Sequence, residues 1–211
     1  MAQREKIIKG YIEFELMNGR SPHSVHELAK KLRIAEASFY DHFGSLEVVR
    51  SSVVAAFMED TTRILDEDEN YAGYSSREKL LALFFTLFEQ FKNQRSYLLA
   101  KYSDWKKVPQ GSKDWKRFLE LLMERSDLIL KEAKIEEEVK DIPLVGQHYA
   151  KTVPLMFAYV FRVWVNDDSE GFATTDAAIE KSVNLGFDML GTGPLDALLD
   201  FGKFALKTKV L

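Results

Sequence analysis

The chain has 211 residues, of which 46% are hydrophobic and 29% charged, with no cysteine and a formal net charge of −4. Such a length can bury roughly 70% of the surface its unfolded chain exposes, and the lack of cysteine excludes a disulfide scaffold, a Cys-ligated zinc site and a cysteine nucleophile. No run of 18 uninterrupted apolar residues occurs, and the first twenty residues carry charges throughout with no apolar signal region, so a cytoplasmic protein without a membrane partner is expected.

Glycines and prolines fall mostly between stretches of helical period, and hairpin turn dipeptides between alternating runs are absent, which predicts an all-α fold of nine or ten helices. The first helix is expected over Gln3 to Asn18, with Ile7, Ile8, Tyr11, Ile12 and Phe14 as its apolar side and Gly19 as a left-handed stop. Ser24 opens the second, and Glu27 three residues later completes the S-x-x-E capping-box pattern. Leu28 and Leu32 face inward, and a third short helix covers about Ala35 to Phe43.

Ser45 caps a fourth helix to about Asp66, whose expected buried stripe is Val48, Val49, Val53, Phe57 and Ile64. Asp66 to Ser76 reads as a linker. A fifth helix, about Arg77 to Gln94, repeats apolar residues at three- and four-residue steps, and a shorter one runs from about Arg95 to Trp105. A long seventh helix spans Ser112 to about Lys140, its charged tail expected in solvent. Leu144 to Asn166 is the most apolar segment, and Pro154 inside it predicts a kink. Thr174 or Thr175 caps a helix to about Leu190, and Pro194 at a first helical position opens a last one to about Lys207.

Three short helices joined by tight turns within 45 residues outline a helix-turn-helix module. The segment SVHELAKKLRIAEASFYDHF, Ser24 to Phe43, resembles the DNA-binding domain of the TetR family of bacterial transcriptional regulators. The match begins at Ile7-Ile8 and Gly19. It continues through Ser24-Val25, Glu27-Leu28-Ala29, Ile34, Ala37-Ser38-Phe39-Tyr40, His42-Phe43 and Ser45 to Glu47. The resemblance implies a DNA-binding domain at 1–46 and a helical ligand-binding and dimerisation domain at 47–211.

Physical reasons for several of these residues stand beside the resemblance. A recognition helix must present its first turn to the major groove, and Ala35, Ala37 and Ser38 are small enough to allow close approach. Ser24 lies at a helix N-terminus suited to one phosphate. Tyr40 and His42 can donate to phosphate oxygens, which is their role by resemblance, although Tyr40 alone could equally be a core-rim aromatic and His42 a local cap. Lys30 and Arg33 add positive charge at the second turn. Glu36, on the expected reading face, would repel phosphates but could accept from a cytosine amine.

The sequence departs from the family pattern at four positions. Leu46 stands where a phosphate-contacting lysine is usual, Arg33 where a glycine is usual, and Ala35 where a serine is common; Glu36 adds an acid. Residues 1–50 hold 8 Lys and Arg against 7 Asp and Glu, so a head of charge +1 precedes a body of −5.

Most of the 15 Phe and all three Trp lie beyond residue 50. Phe84, Phe88, Phe91, Trp115, Phe118 and Met123, with Tyr149, Met156 and Tyr159, could line an apolar effector pocket of the kind found between bundle helices, or simply form a packed core. His148 beside Tyr149 is a candidate for orienting a ligand. His23 and His26 bracket a helix start without acidic partners in sequence, so no metal site is expected, and no cofactor is implied. No enzyme motif appears, and catalysis is not expected.

By resemblance the last two long helices form a four-helix bundle between two subunits. The expected protein is therefore a homodimeric repressor, released from a palindromic double-stranded operator by a small apolar or amphipathic effector. The alternative is a TetR-like lipid- or isoprenoid-binding protein that has lost operator binding.

Overall fold

The computed structural model describes residues 2–102, 113–139 and 152–190. Among them lie nine α-helices and no strand: α1 (Ala2–Asn18), α2 (Val25–Leu32), α3 (Glu36–Tyr40), α4 (Leu46–Glu67), α5 (Ser76–Asn93), α6 (Arg95–Tyr102), α7 (Lys116–Ile135), α8 (Val153–Val165) and α9 (Ala173–Leu190). The all-α class holds. The predicted helix from Leu195 lies outside the described residues.

The chain forms two compact units, the first from residues 1–64 and 86–122, the second from 65–85 and 123–211. In the first, α1 packs on α2 and α6, and α2 packs on α3. Ile7, Tyr11, Leu28 and Phe39 are all buried there. Gly10 permits the close approach of α2 to α1: a Cβ at that position would lie 2.1 Å from Leu32 Cδ2. Deeper in this unit, Phe91 meets Phe57 edge-on with centroids 5.1 Å apart, and Trp115 meets Phe118 at 5.1 Å. Pairs of this geometry each add about 0.5–1.5 kcal/mol beyond the area they bury.

The second unit packs α8 on α9. Phe157, Phe161 and Trp164 of α8 and Ile179, Val183 and Phe187 of α9 turn inward. Arg77, in the first turn of α5, reaches α9 with both guanidinium nitrogens. Nη1 donates to Asn184 at 3.2 Å and Nη2 to Asp188 at 2.9 Å, while the guanidinium lies over the Phe187 ring.

Several sequence expectations change in this frame. Val48 does not join the buried stripe of α4, being 47% exposed, and Ile64 is only half-buried; Val54, Ala55, Met58 and Leu65 join Val49, Val53 and Phe57 in it. Pro154 causes no kink within α8, because the helix starts at Val153 and places proline in the first turn, where its missing N–H has no helical partner to lose. The charged tail of α7 is not simply solvated: Glu138 accepts from the Ser76 and Arg77 amides at 2.9 and 3.2 Å, capping α5 from 62 and 61 residues away in sequence. The 66–76 segment is more than a linker, since Tyr71 is buried and Arg125 stacks over its ring while donating to Asp66 at 2.8 Å.

Neither Thr174 nor Thr175 caps α9, which begins earlier. Asp167 accepts from the Thr175 amide and hydroxyl at 2.8 and 2.6 Å, and Ser169 Oγ accepts from the Thr174 amide at 3.1 Å. Burial would raise the Asp167 carboxyl, but the donors of Ser169 and Thr175 outweigh it and hold it at about 2.

Candidate nucleic-acid interface

The first helix ends as its sequence dictates. Gly19 takes φ +63, and its amide donates to Glu15 O at 2.9 Å. Ser24 then caps α2 from extended backbone, its hydroxyl accepting from the Glu27 amide at 3.2 Å. The reciprocal half of the expected capping box is displaced by one residue: Glu27 accepts from the His23 amide at 2.7 Å rather than from Ser24. Arg20 grips the same carboxylate with two bonds, at 2.7 and 3.2 Å, and these contacts hold Glu27 down at about 2. The turn before α2 is thus fixed from both sides.

Arg33 closes α2 in the left-handed region, φ 54 and ψ 50, while Ile34 N donates to Ala29 O at 3.0 Å. Where the family usually has a glycine, the turn keeps its left-handed geometry and Arg33 carries the strain. Helix α3 is only five residues long, shorter than the predicted Ala35 to Phe43, and Ala35 precedes it without a side-chain cap. Beyond Tyr40 the chain continues as a turn in which Phe43 N still donates to Phe39 O at 2.9 Å.

Phe39 is the pivot of this helix. It is fully buried, with Tyr40 edge-on at 5.4 Å and Phe43 at 5.9 Å. Burial of Phe39 forces the opposite face outward: Glu36, Ala37, Tyr40 and His42 are exposed, and Ser38 is half-buried. Tyr40 is 54% exposed, so it is no core-rim aromatic in this chain. On α2, Lys30 is exposed together with His26, and Arg33 follows one turn later on the same face. The eight residues expected at the interface therefore lie on one module, most of them open to solvent. Leu46, at the lysine position, is half-buried at the start of α4.

Two polar clusters behind this face were not legible in the sequence. Glu15, buried on α1, accepts from Tyr11 at 2.9 Å and also contacts Ser21 and Lys101, so α1, its following turn and α6 share one carboxylate. Burial would raise Glu15, yet Lys101, Ser21 and Tyr11 together lower it. The Tyr11 hydroxyl is pushed up to about 12, chiefly by burial. The next residue of α6, Tyr102, donates to Asp114 at 3.2 Å, and Arg50 of α4 donates to the same carboxylate at 2.6 Å. A further contact on the exposed face joins His26 Nδ1 to Glu36 Oε1 at 2.5 Å. Apart from Tyr11 and Ser21, which lie four and six positions from Glu15, these partners are ten or more positions apart, outside any local pattern.

The expected effector residues divide. Phe88, Phe91, Trp115 and Phe118 come together in the first unit as mutually packed rings. Phe84 is buried and Met123 half-buried in the second unit. Met156 and Tyr159 instead line an open apolar groove of about 580 Å³ between α8 and α9, with Leu155, Leu185, Gly186 and Met189. His148 and Tyr149 lie outside the described residues. Among the described residues no helix is long and apolar enough to cross a membrane, and no group of three or more His, Asp or Glu is placed to hold a metal ion.

Comparison with known proteins agrees with this architecture. The helix-turn-helix-type transcriptional regulator YerO of Bacillus subtilis (strain 168), itself uncharacterized, is 23% identical over 175 residues; the match covers 80% of this chain and 60% of YerO. The chain thus spans less than two thirds of that relative's length. A structure from Shewanella sp. PV-4, assigned to the TetR family of transcription regulators, superposes with a TM-score of 0.62 over 90% of this chain and 99% of that one, at 11% identity, which shows a shared fold. A family profile described as the C-terminal domain of tetracyclin repressor-like proteins matches residues 79–205. With a helix-turn-helix at its start and that domain over more than half its length, the chain belongs to the TetR family of transcriptional regulators.

Proposed function

We propose that the protein is a cytoplasmic, ligand-responsive repressor that binds a palindromic operator as a homodimer. The observation that carries the reading is the α3 face. A fully buried Phe39 holds a five-residue helix so that Ala37, Tyr40 and the following His42 stand out of the module beside Lys30 and Arg33. Small residues permit backbone approach to a groove, and the flanking donors suit phosphate oxygens. Residues 1–46 act as the reading head and 47–211 as the ligand-binding and dimerisation part.

The α8–α9 face supports a two-fold dimer. Leu155, Tyr159, Leu185 and Met189 are each about half exposed or more along two adjacent helices, an arrangement that a second copy of the same face would cover. Two heads related in this way would meet successive major grooves about one DNA turn apart. An apolar or amphipathic effector favouring one conformer of the body would then shift the population away from that spacing.

A lipid- or isoprenoid-binding protein without operator affinity is the competing reading, favoured by Leu46 in place of a phosphate-binding lysine and by Glu36 on the exposed face. Titrating the purified protein with its own upstream DNA across a salt series separates the two. A sequence-specific complex whose affinity falls with salt is expected; none at low salt would overturn the repressor reading.

A further inference from the structure

His26 and Glu36 stand on different helices of the reading head, yet His26 Nδ1 lies 2.5 Å from Glu36 Oε1. Both side chains are open to solvent, 72% and 45% exposed, so the contact serves no core. A carboxylate only accepts hydrogen bonds, so Nδ1 must carry the hydrogen. The bond occupies Oε1 of a side chain that is 45% exposed and leaves Oε2 available to accept.

Glu36 is the first residue of α3 and shares its outward face with Ala37 and Tyr40. An acid there is unfavourable toward phosphates and has value only against a donor. The major groove offers two kinds of exocyclic amine, cytosine N4 and adenine N6. Adenine places the N7 lone pair beside its amine, which repels a second carboxylate oxygen, and the complementary partner for that pair is a side-chain amide. Cytosine presents a single donor with a C–H beside it, matching the single free oxygen.

The geometry points to Glu36 as a base-reading residue that selects cytosine in each half-site, with His26 as the positioning residue that fixes its carboxylate. This assignment rests on the DNA-binding reading above and deepens it. It also accounts for an acid on a face that otherwise favours DNA, because the cost toward phosphates is offset at one base position.

The test is selection from a library of randomised double-stranded DNA by the full-length chain at low salt, followed by sequencing. Wild type should yield a two-fold consensus with cytosine at one position of each half-site. Glu36→Ala should flatten that position alone, by about tenfold in preference, and leave the rest of the consensus, which also shows that the variant is folded. Glu36→Gln should move the preference to adenine. His26→Leu should weaken discrimination at the same position, and His26→Asn, whose amide nitrogen can donate from a similar place, should restore it. An unchanged consensus with Glu36→Ala, loss of every position at once, or a base other than cytosine at the Glu36-sensitive position would overturn the assignment while leaving operator binding intact. A wild-type selection with no consensus would overturn operator binding itself, and this inference with it.

Discussion

Arg50 Nε donates to Asp114 Oδ1 at 2.6 Å, joining the first half of α4 to the turn that leads into α7. Asp114 is buried, and Tyr102 shares its carboxylate. Removing the charge from one side of such a pair leaves the other desolvated without compensation. Asp114→Asn should therefore cost about 2–3 kcal/mol of unfolding free energy in urea denaturation. Tyr102→Phe, which removes one neutral donor, should cost about 1 kcal/mol. Equal losses from the two variants would show that the ion pair adds nothing beyond its hydrogen bonds.

Glu15 gives the protein an acid-sensitive joint. Its carboxyl is lowered in the folded state because Lys101, Ser21 and Tyr11 outweigh the raising effect of burial. A depressed folded value means that the stabilisation is fully present above the unfolded glutamate range, near about 4.3, and is lost as pH falls through the lower folded value. Unfolding free energy should accordingly decline below about pH 4.5, and Glu15→Gln should flatten part of that decline while lowering stability at pH 7. A pH profile that is parallel in both proteins would remove Glu15 from this role.

Arg33 should separate stability from binding. Its left-handed backbone costs a non-glycine residue about 1 kcal/mol, and the side chain is exposed. Arg33→Gly is expected to raise the melting temperature by a few degrees and to weaken DNA binding by removing a charge from the face. Lower stability in the glycine variant would show that the arginine side chain holds the turn through contacts of its own.

Tyr40→Phe combined with His42→Ala should weaken specific and non-specific DNA to similar extents, because phosphate contacts carry no sequence information. Competition binding on both kinds of duplex measures this. An effect confined to the specific site would move these residues from the backbone to the bases.

Leu185→Glu should convert the dimer to a monomer in sedimentation equilibrium, since it places a charge in an apolar face that would be covered on association. Circular dichroism should be unchanged because the side chain is 60% exposed. A variant that stays dimeric would put the two-fold contact elsewhere on the molecule.

The head was read from the sequence with little loss because its signals are local. Ser24 three residues before Glu27 and Gly19 after α1 each act within one turn of helix; the Ser24 cap and the Gly19 stop appear where their spacing placed them, while the reciprocal bond of Glu27 moves to the His23 amide. The fold class followed from the same periodicity. Errors arose where a local rule had a distant competitor. Asp167 and Ser169 begin α9 before the threonines could, and Glu138 draws a charged tail onto α5. For the effector aromatics, composition fixed only that rings were present; it did not decide which would pack on one another and which would face the α8–α9 groove.

The sequence by itself determined an all-helical chain with a short acidic-fronted reading head, since helix period, caps and stops depend on residues within four positions of one another. Only the tertiary structure decided how that head is held and which partner its acid takes. Lys101 is 86 positions from Glu15, Asp114 is 64 from Arg50, and Glu36 is ten from His26. Charges so separated acquire partners only when helices pack, because packing alone brings them within hydrogen-bonding distance; at Glu15 and Asp114 it also removes the water that would otherwise screen them.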